Sequence, residues 1–330
     1  MAEIGIIGAG SWGTALAVLC VNNGHDVTVW SRTKRDHKKD SRLPGVEIPD
    51  AICFTTDLSE AMKGKGAVIL AVPSPYIREV SGKMRPFTEK GQIIVNVSKG
   101  VEESTLHTLS QIIEEEIPQA ETAVLSGPSH AEEVVKGLPT TCVVSAHKKA
   151  VAEYLQNLFM SPVFRVYTSP DILGVELGGA LKNVIALAAG AADGLGYGDN
   201  TKAALITRGI AEIARLGIAM GAQPSTFFGL TGIGDLIVTC ASIHSRNRKA
   251  GYLIGRGYTM EEAMAEVKMV VEGVYSAKAA KALAEKYQVE MPIVEQINKV
   301  LFEGKSAKEA VNDLMLRDKK IESTDLPWEA

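Results

Sequence analysis

The amino-acid sequence predicts two domains of different class, an N-terminal α/β domain around a parallel sheet and a C-terminal all-α domain. Three observations carry this expectation. The chain has 330 residues, more than the ~250–300 at which a single core stops growing. Up to about residue 170, short β-rich runs alternate with helical patterns, the signature of βαβ units. Beyond it the β-runs give out, and apolar residues in an Ala-, Leu- and Gly-rich stretch recur at spacings of three and four.

Strands are expected at 3–7, 26–31, 67–72, 93–96, 122–126 and 140–145, with helices at 14–23, 76–84 and 106–117 between them. That alternation predicts a doubly wound topology. A long helix is expected to start with Pro170 in its first turn and to run through Glu176, Lys182 and Val184 towards Ala192. Such a helix can begin in one domain and form the core of the other, and the division expected is 1–180 and 181–330. Residues 303–330 mix acidic and basic side chains, as solvated helix faces and a frayed tail do.

Composition bounds the function. Hydrophobic residues at 46% and charged residues at 22% belong to a packed globular chain. A formal net charge of −4 provides no global basic field, so neither nucleic acid nor a membrane surface is an expected partner. The stretch 180–192 is apolar but interrupted by Lys182 and Asn183, and by this reading it is too short to span a bilayer. Cys20, Cys53, Cys142 and Cys240 are scattered, with no His at ligand spacing, so reduced thiols and no metal are expected. No basic segment followed by a long apolar run opens the chain, and the cytoplasm is the expected compartment.

The first chemical motif is Gly8-Ala9-Gly10-Ser11-Trp12-Gly13, which fits Gly-x-Gly-x-x-Gly and joins an apolar strand to a helical pattern. Gly8 permits the tight turn, Gly10 lets the backbone approach a pyrophosphate, and Gly13 lets the helix pack on the strand. The helix N-terminus adds amides and positive potential. A Rossmann-like dinucleotide-binding domain is therefore predicted. Sites for NAD usually end the second strand in Asp or Glu; here the strand runs into Ser31-Arg32, followed by Lys34, Arg35, Lys38 and Lys39. Arg32 can pair with a 2′-phosphate, so NADP(H) is expected to be accepted beside NAD(H). The rest of the basic cluster reads as a solvated loop.

Ligands of open α/β sheets bind beyond the carboxyl ends of the strands. Three expected strands end there in Val72-Pro73-Ser74-Pro75, Asn96-Val97-Ser98-Lys99-Gly100 and Ser126-Gly127-Pro128-Ser129, loops of small or hydroxylic residues. Packing alone explains Lys99 poorly, and a substrate contact explains it better. In the helical half, Lys182 and Asn183 interrupt an apolar helix that must be largely buried. Burial and neighbouring cations disfavour the ammonium, which brings such a lysine towards the working pH of an acid–base catalyst. A third constellation is Gly229-Leu230-Thr231-Gly232-Ile233-Gly234-Asp235-Leu236 with Thr239, then Ser245-Arg246-Asn247-Arg248. The glycines allow Asp235 and Thr239 to project into a cleft, and Arg246 with Asn247 offers donors that suit a phosphate. Ser129 beside His130 is not read as a hydrolase pair, because nucleophile and base meet across a fold rather than as neighbours.

Taken together, these motifs resemble NAD(P)-dependent glycerol-3-phosphate dehydrogenase of the bacterial soluble type, nearly end to end. The resemblance rests on Gly8 to Gly13, Ser98-Lys99-Gly100, Ser126-Gly127-Pro128-Ser129-His130-Ala131, Leu181-Lys182-Asn183, Gly232-Ile233-Gly234-Asp235-Leu236, Ser245-Arg246-Asn247 and Val271-Glu272-Gly273. It implies that Lys182 exchanges a proton with the substrate oxygen, while Lys99, Asp235 and Thr239 orient and polarise the substrate. It implies Gly127, Ser129, Asn183, Ser245, Arg246 and Asn247 at dihydroxyacetone phosphate or sn-glycerol 3-phosphate. It further implies Ser11, Trp12, Arg32, Lys99, Ala131, Arg246, Val270 and Glu272 at the cofactor, and a reducing direction that serves phospholipid synthesis. Relatives often carry a second Arg after the Arg32 position, where this chain has Thr33. The alternatives are a 3-hydroxyacid or 6-phosphogluconate type dehydrogenase, with the same pairing of domains and a catalytic Lys, and an NAD(P)-sensing protein without turnover. The apolar surface expected of the helical domain favours a homodimer.

Overall fold

A computed structural model describes residues 1–34, 43, 45–319 and 321–322. Arg35, Lys38 and Lys39 of the basic cluster, and the end of the 303–330 tail, lie outside the described residues. The N-terminal part runs β1 (Glu3–Ile7), α1 (Ser11–Asn22), β2 (Asp26–Trp30), β3 (Cys53–Thr55), β4 (Ala67–Leu70), α2 (Ile77–Met84), β5 (Ile93–Asn96), α3 (Leu109–Glu116) and β6 (Glu121–Ser126). It continues through α4 (Ala131–Val134), β7 (Thr140–Ala146), α5 (Lys149–Phe159) and β8 (Phe164–Ser169).

The strands form one sheet in the order β3-β2-β1-β4-β5-β6-β7-β8. The order reverses between β1 and β4, which places a switch point beside the glycine motif. Alternate residues of the central strands feed two cores. Ile4, Ile6, Ala67 and Ile69 pack towards Leu16 of α1 and Phe159 of α5, whereas Ile7, Val68 and Leu70 pack towards Ile77 of α2 and Ile113 of α3. Burial on both faces is why these strands read as unbroken apolar runs.

Three expectations for the sheet domain are corrected. All neighbouring strands pair parallel except β6 and β7, which pair antiparallel. The helix between them, α4, has four residues and rises only about 6 Å, too little to retrace a six-residue strand of roughly 20 Å. The strands β3 and β8 extend the sheet at both edges beyond the six that were expected. The third helix starts at Leu109 rather than near Leu106, because Leu106 is left-handed at φ +62° and Gln111 Oε1 caps the helix by accepting from Thr108 N at 2.9 Å.

From Ile172 onward the elements among the described residues are helices joined by turns: α6 (Ile172–Gly194), α7 (Asp199–Ala219), α8 (Pro224–Phe227), a π-helical turn (Leu230–Gly234) and α9 (Asp235–Ala241), then α10 (Arg246–Gly255), α11 (Met260–Val267), α12 (Glu272–Lys286), α13 (Pro292–Phe302) and α14 (Ala307–Met315). Pro170 precedes α6 instead of entering its first turn. Asp171 is the cap: its Oδ1 accepts from Gly174 N at 3.0 Å, and its Oδ2 accepts from Gln223 N and the Thr226 hydroxyl of α8. The first turns of α6 pack Ile172 and Val175 on Val124 of the sheet; from Leu177 onward the helix is the centre of the helical core. A division at 180 therefore falls inside one unbroken helix. At 23 residues α6 is also longer than the apolar run read from the sequence, and its composition would pass for a membrane span. Its apolar window is 94% buried inside the protein, as the central helix of a bundle would be.

Candidate active site

The glycine motif forms the turn from β1 into α1. Gly8 adopts φ +118°, and a Cβ there would lie 2.6 Å from the Ala71 carbonyl oxygen at the end of β4. A Cβ on Gly13 would lie 2.0 Å from the Gly8 oxygen, so both positions need glycine for a close approach. Gly10 faces open space. It stands at the N-cap of α1, where no side chain caps the helix and no acidic residue enters the first turn. The amides around Ser11 and Trp12 are thus placed to receive an anion, and Trp12 packs on the sheet core. These features fit a dinucleotide pyrophosphate. Arg32 is exposed just beyond β2, and Ala131 opens α4 with its side chain in the α1 core.

Neighbouring strand ends continue the same edge. Ser74, after β4, meets Glu272 at the start of α12: Glu272 Oε1 accepts from Ser74 N at 3.1 Å and Oε2 from Ser74 Oγ at 2.5 Å. Gly100 packs against Ser74, with a Cβ position 2.5 Å from its Oγ. Burial raises the Glu272 carboxyl above its ordinary range, opposed by the Ser74 hydrogen bonds and by the charge of Arg246. Arg246 Nη1 in turn donates to the Val270 carbonyl at 3.2 Å. Arg246, Val270 and Glu272 therefore assemble at the seam between the two halves, next to the β4 and β5 loops.

The centre of the seam is a buried ion cluster. Lys182 of α6 is 5% exposed, Asp235 is 1% exposed and Thr239 is 3% exposed. Lys182 Nζ lies 2.5 Å from Asp235 Oδ1 and donates to Thr239 Oγ1 at 2.5 Å. Thr239 Oγ1 donates to the Asp235 carbonyl at 2.6 Å. Lys99, after β5, reaches the other carboxylate oxygen, with Nζ 2.7 Å from Asp235 Oδ2, and donates to the Gly127 carbonyl at 3.0 Å. One carboxylate thus holds two ammonium groups. Burial pushes Lys182 down to about 8; Asp235 opposes that shift and the charge of Lys99 adds to it. Burial alone would raise Asp235, yet the two lysines outweigh it and keep the carboxyl below its ordinary range.

The glycine-rich run that leads into Asp235 forms a π-helical turn. Such turns are uncommon and concentrate at functional sites. Gly127 adopts φ +142°, and its carbonyl also accepts from Ser129 Oγ at 2.9 Å. Ser129 therefore does not engage His130. His130 is pushed below its ordinary value by burial and by the charges of Lys182 and Lys99; its Nε2 is buried without a partner, so this residue, discounted from sequence, faces the cluster's field. Asn183 and Asn247 form a joint behind Lys182: Asn247 Nδ2 donates to Asn183 Oδ1 at 2.8 Å, and Asn247 Oδ1 accepts from Gly273 N at 2.9 Å. Ser245 caps α10 by accepting from Arg248 N at 3.2 Å.

Comparison with known proteins decides the family. The family model for the NAD-dependent glycerol-3-phosphate dehydrogenase N-terminus matches residues 3–152, and that for the C-terminus matches 171–312. The chain belongs to the NAD-dependent glycerol-3-phosphate dehydrogenase family. Similar relatives include glycerol-3-phosphate dehydrogenase [NAD(P)+] of Agathobacter rectalis, 64% identical over 99% of this chain and 100% of that protein. The Fusobacterium nucleatum protein of the same name is 61% identical over 98% and 99%. Among solved structures, glycerol-3-phosphate dehydrogenase from Coxiella burnetii superposes with a TM-score of 0.91 at 36% identity, covering 96% of this chain and 99% of that one. Within this family, the α/β plus all-α organisation read from the sequence is the shared architecture.

Proposed function

We infer that the chain is an NAD(P)-dependent oxidoreductase interconverting dihydroxyacetone phosphate and sn-glycerol 3-phosphate. Relatives 64% and 61% identical, matched over nearly their whole lengths, carry that activity in their names. The observation that supports it most in this chain is the buried Lys182–Asp235–Lys99 cluster, opposite strand ends that fit a dinucleotide. When bound, a reduced nicotinamide supplies the hydride that reduces the substrate carbonyl. Gly8, Gly10, Ser11, Trp12 and Gly13 hold the pyrophosphate side of that cofactor, and Ala131, Val270, Glu272 and Arg246 line its path to the seam. Arg32 pairs with a 2′-phosphate when NADP(H) is used.

The chain's own residues supply the proton and the field. With its ordinary value depressed to about 8, Lys182 is largely an ammonium at neutral pH and donates to the substrate oxygen; as the free amine it accepts the proton in reverse. Lys99 adds a cation near the oxygen on which negative charge develops, and Asp235 with Thr239 fixes both amines. Gly127 and Ser129 border the substrate from the β6 loop, beside Asn183. Ser245, Arg246 and Asn247, at the start of α10, receive the phosphate through helix amides and the guanidinium. Reduction for phospholipid synthesis in the cytoplasm, by a homodimer, is the physiological setting proposed.

A substrate panel tests the reading. NAD(P)H is expected to be oxidised with dihydroxyacetone phosphate but not with dihydroxyacetone or 2-methyl-3-oxoacids. Equal rates across the panel would reject the phosphate site and favour a hydroxyacid-type enzyme.

A further inference from the structure

Glu176 lies in α6, six residues before Lys182, and is nearly fully buried. A buried carboxylate needs partners, and those of Glu176 come from the other domain. Its Oε1 accepts from Asn96 Nδ2 at 3.1 Å and from Ser110 N at 2.9 Å, and its Oε2 accepts from Ser110 Oγ at 2.5 Å. The carboxylate thus grips the end of β5 and the first turn of α3 together.

Asn96 is also the anchor of the loop that presents Lys99. Its Oδ1 accepts from Ser98 N at 3.0 Å and its Nδ2 donates to Ser98 O at 3.1 Å. One turn beyond Glu176, α6 comes down on the Lys99 stem at Gly179, where a Cβ would lie 3.4 Å from Lys99 Cγ and 2.9 Å from Ser126 Oγ. One turn further stands Lys182. Positions 176, 179 and 182 recur at helical spacing, so a single stretch of α6 meets the loop anchor, then the Lys99 side chain, then Asp235.

We propose that Glu176 is a positioning residue, which sets the separation of the two lysines on Asp235 by holding the Lys99 loop against α6. The proposal rests on the reading of Lys182 and Lys99 as the reacting site. Neither Glu176 nor Asn96 touches the cluster itself; they act through Lys99. Burial depresses Lys182 most, Asp235 opposes that, the charge of Lys99 adds to it, and Cys240 and the depressed His130 also face the amine; a loosened loop weakens the Lys99 contribution and moves the Lys182 titration upward.

Glu176→Gln tests this, because it keeps the size of the side chain but removes the charge and replaces one of the two acceptor oxygens by an amide N–H₂, leaving a single oxygen to accept from Asn96 and Ser110. The expected result is a loss of kcat for reduction of about tenfold, with the alkaline limb of its pH profile moved up. Ser110→Ala, a milder cut in the same grip, is expected to move the limb the same way by less. The double variant Asn96→Asp/Glu176→Gln restores an amide–carboxylate pair with its ends exchanged and is expected to recover part of the loss. A limb left in place in both single variants, with rate lost only in proportion to the folded fraction seen by circular dichroism, overturns the proposal. Lys182 can also be titrated without turnover, by pH-dependent acetylation read by mass spectrometry. A shift there in Glu176→Gln, in a protein inactive on dihydroxyacetone phosphate, would keep the positioning role and reject the substrate.

Discussion

Lys182 and Asp235 stand 53 positions apart in the sequence and meet at 2.5 Å in the interior. The lysine comes from the central helix of one core, and the aspartate opens the helix that follows the π-helical turn. Because the pair also holds Lys99, the cluster carries one excess positive charge in a largely buried setting, which suits an anionic substrate and a carbonyl oxygen that gains charge.

Opposite pH dependences should mark the two directions of the reaction. Reduction uses the Lys182 ammonium, so its kcat should fall as pH rises through about 8. Oxidation uses the free amine, so its kcat should rise over the same interval. Steady-state rates at saturating substrate from pH 6 to pH 10 check this, and parallel profiles in the two directions would count against Lys182 as the proton carrier.

Asp235→Asn should be costly to fold as well as to rate. It leaves two ammonium groups without their carboxylate, and breaking a buried ion pair from one side typically costs about 3–5 kcal/mol. Chemical unfolding should show that loss, with kcat down by ~100-fold or more. A variant as stable as the parent would mean that water or an anion already screens the lysines.

Arg32→Ala should separate the two nucleotides. Losing one charge-assisted contact of about 1.5–3 kcal/mol raises KM for NADPH by roughly tenfold or more and leaves KM for NADH nearly unchanged. Equal effects on both would remove Arg32 from the 2′-phosphate.

The cysteines give a readout of the core. Burial pushes Cys20, Cys142 and Cys240 up to about 12, whereas Cys53 is exposed at the sheet edge. An aromatic disulfide reagent at pH 8 should titrate one thiol in the native protein and four after unfolding. Two or more fast native thiols would contradict the packing described around the sheet.

Much of the fold was legible because burial leaves a mark in composition. The central strands are apolar on both faces and the long helix α6 is apolar all round, so each could be read locally. The edge strand β3 has only three residues, and β8 alternates exposed Arg165 and Tyr167 with buried Phe164 and Val166 beside a proline that reads as a helix start. The antiparallel turn into β7 was not legible, since strand direction leaves no periodicity. At the site, Lys182 stood out as a charge in an oily helix, but its pairing with Asp235 and the link from Glu176 to Asn96 are made by tertiary contact. The hydrogen bond that Asn247 donates to Asn183 was hidden for the same reason.

The most direct test compares the wild-type chain with Lys182→Ala in NADPH or NADH oxidation driven by dihydroxyacetone phosphate, with nucleotide affinity followed in parallel by fluorescence. Turnover is expected of the wild type, and in the variant a kcat lower by ~100-fold or more with nucleotide binding intact. Undiminished turnover by Lys182→Ala would contradict that expectation.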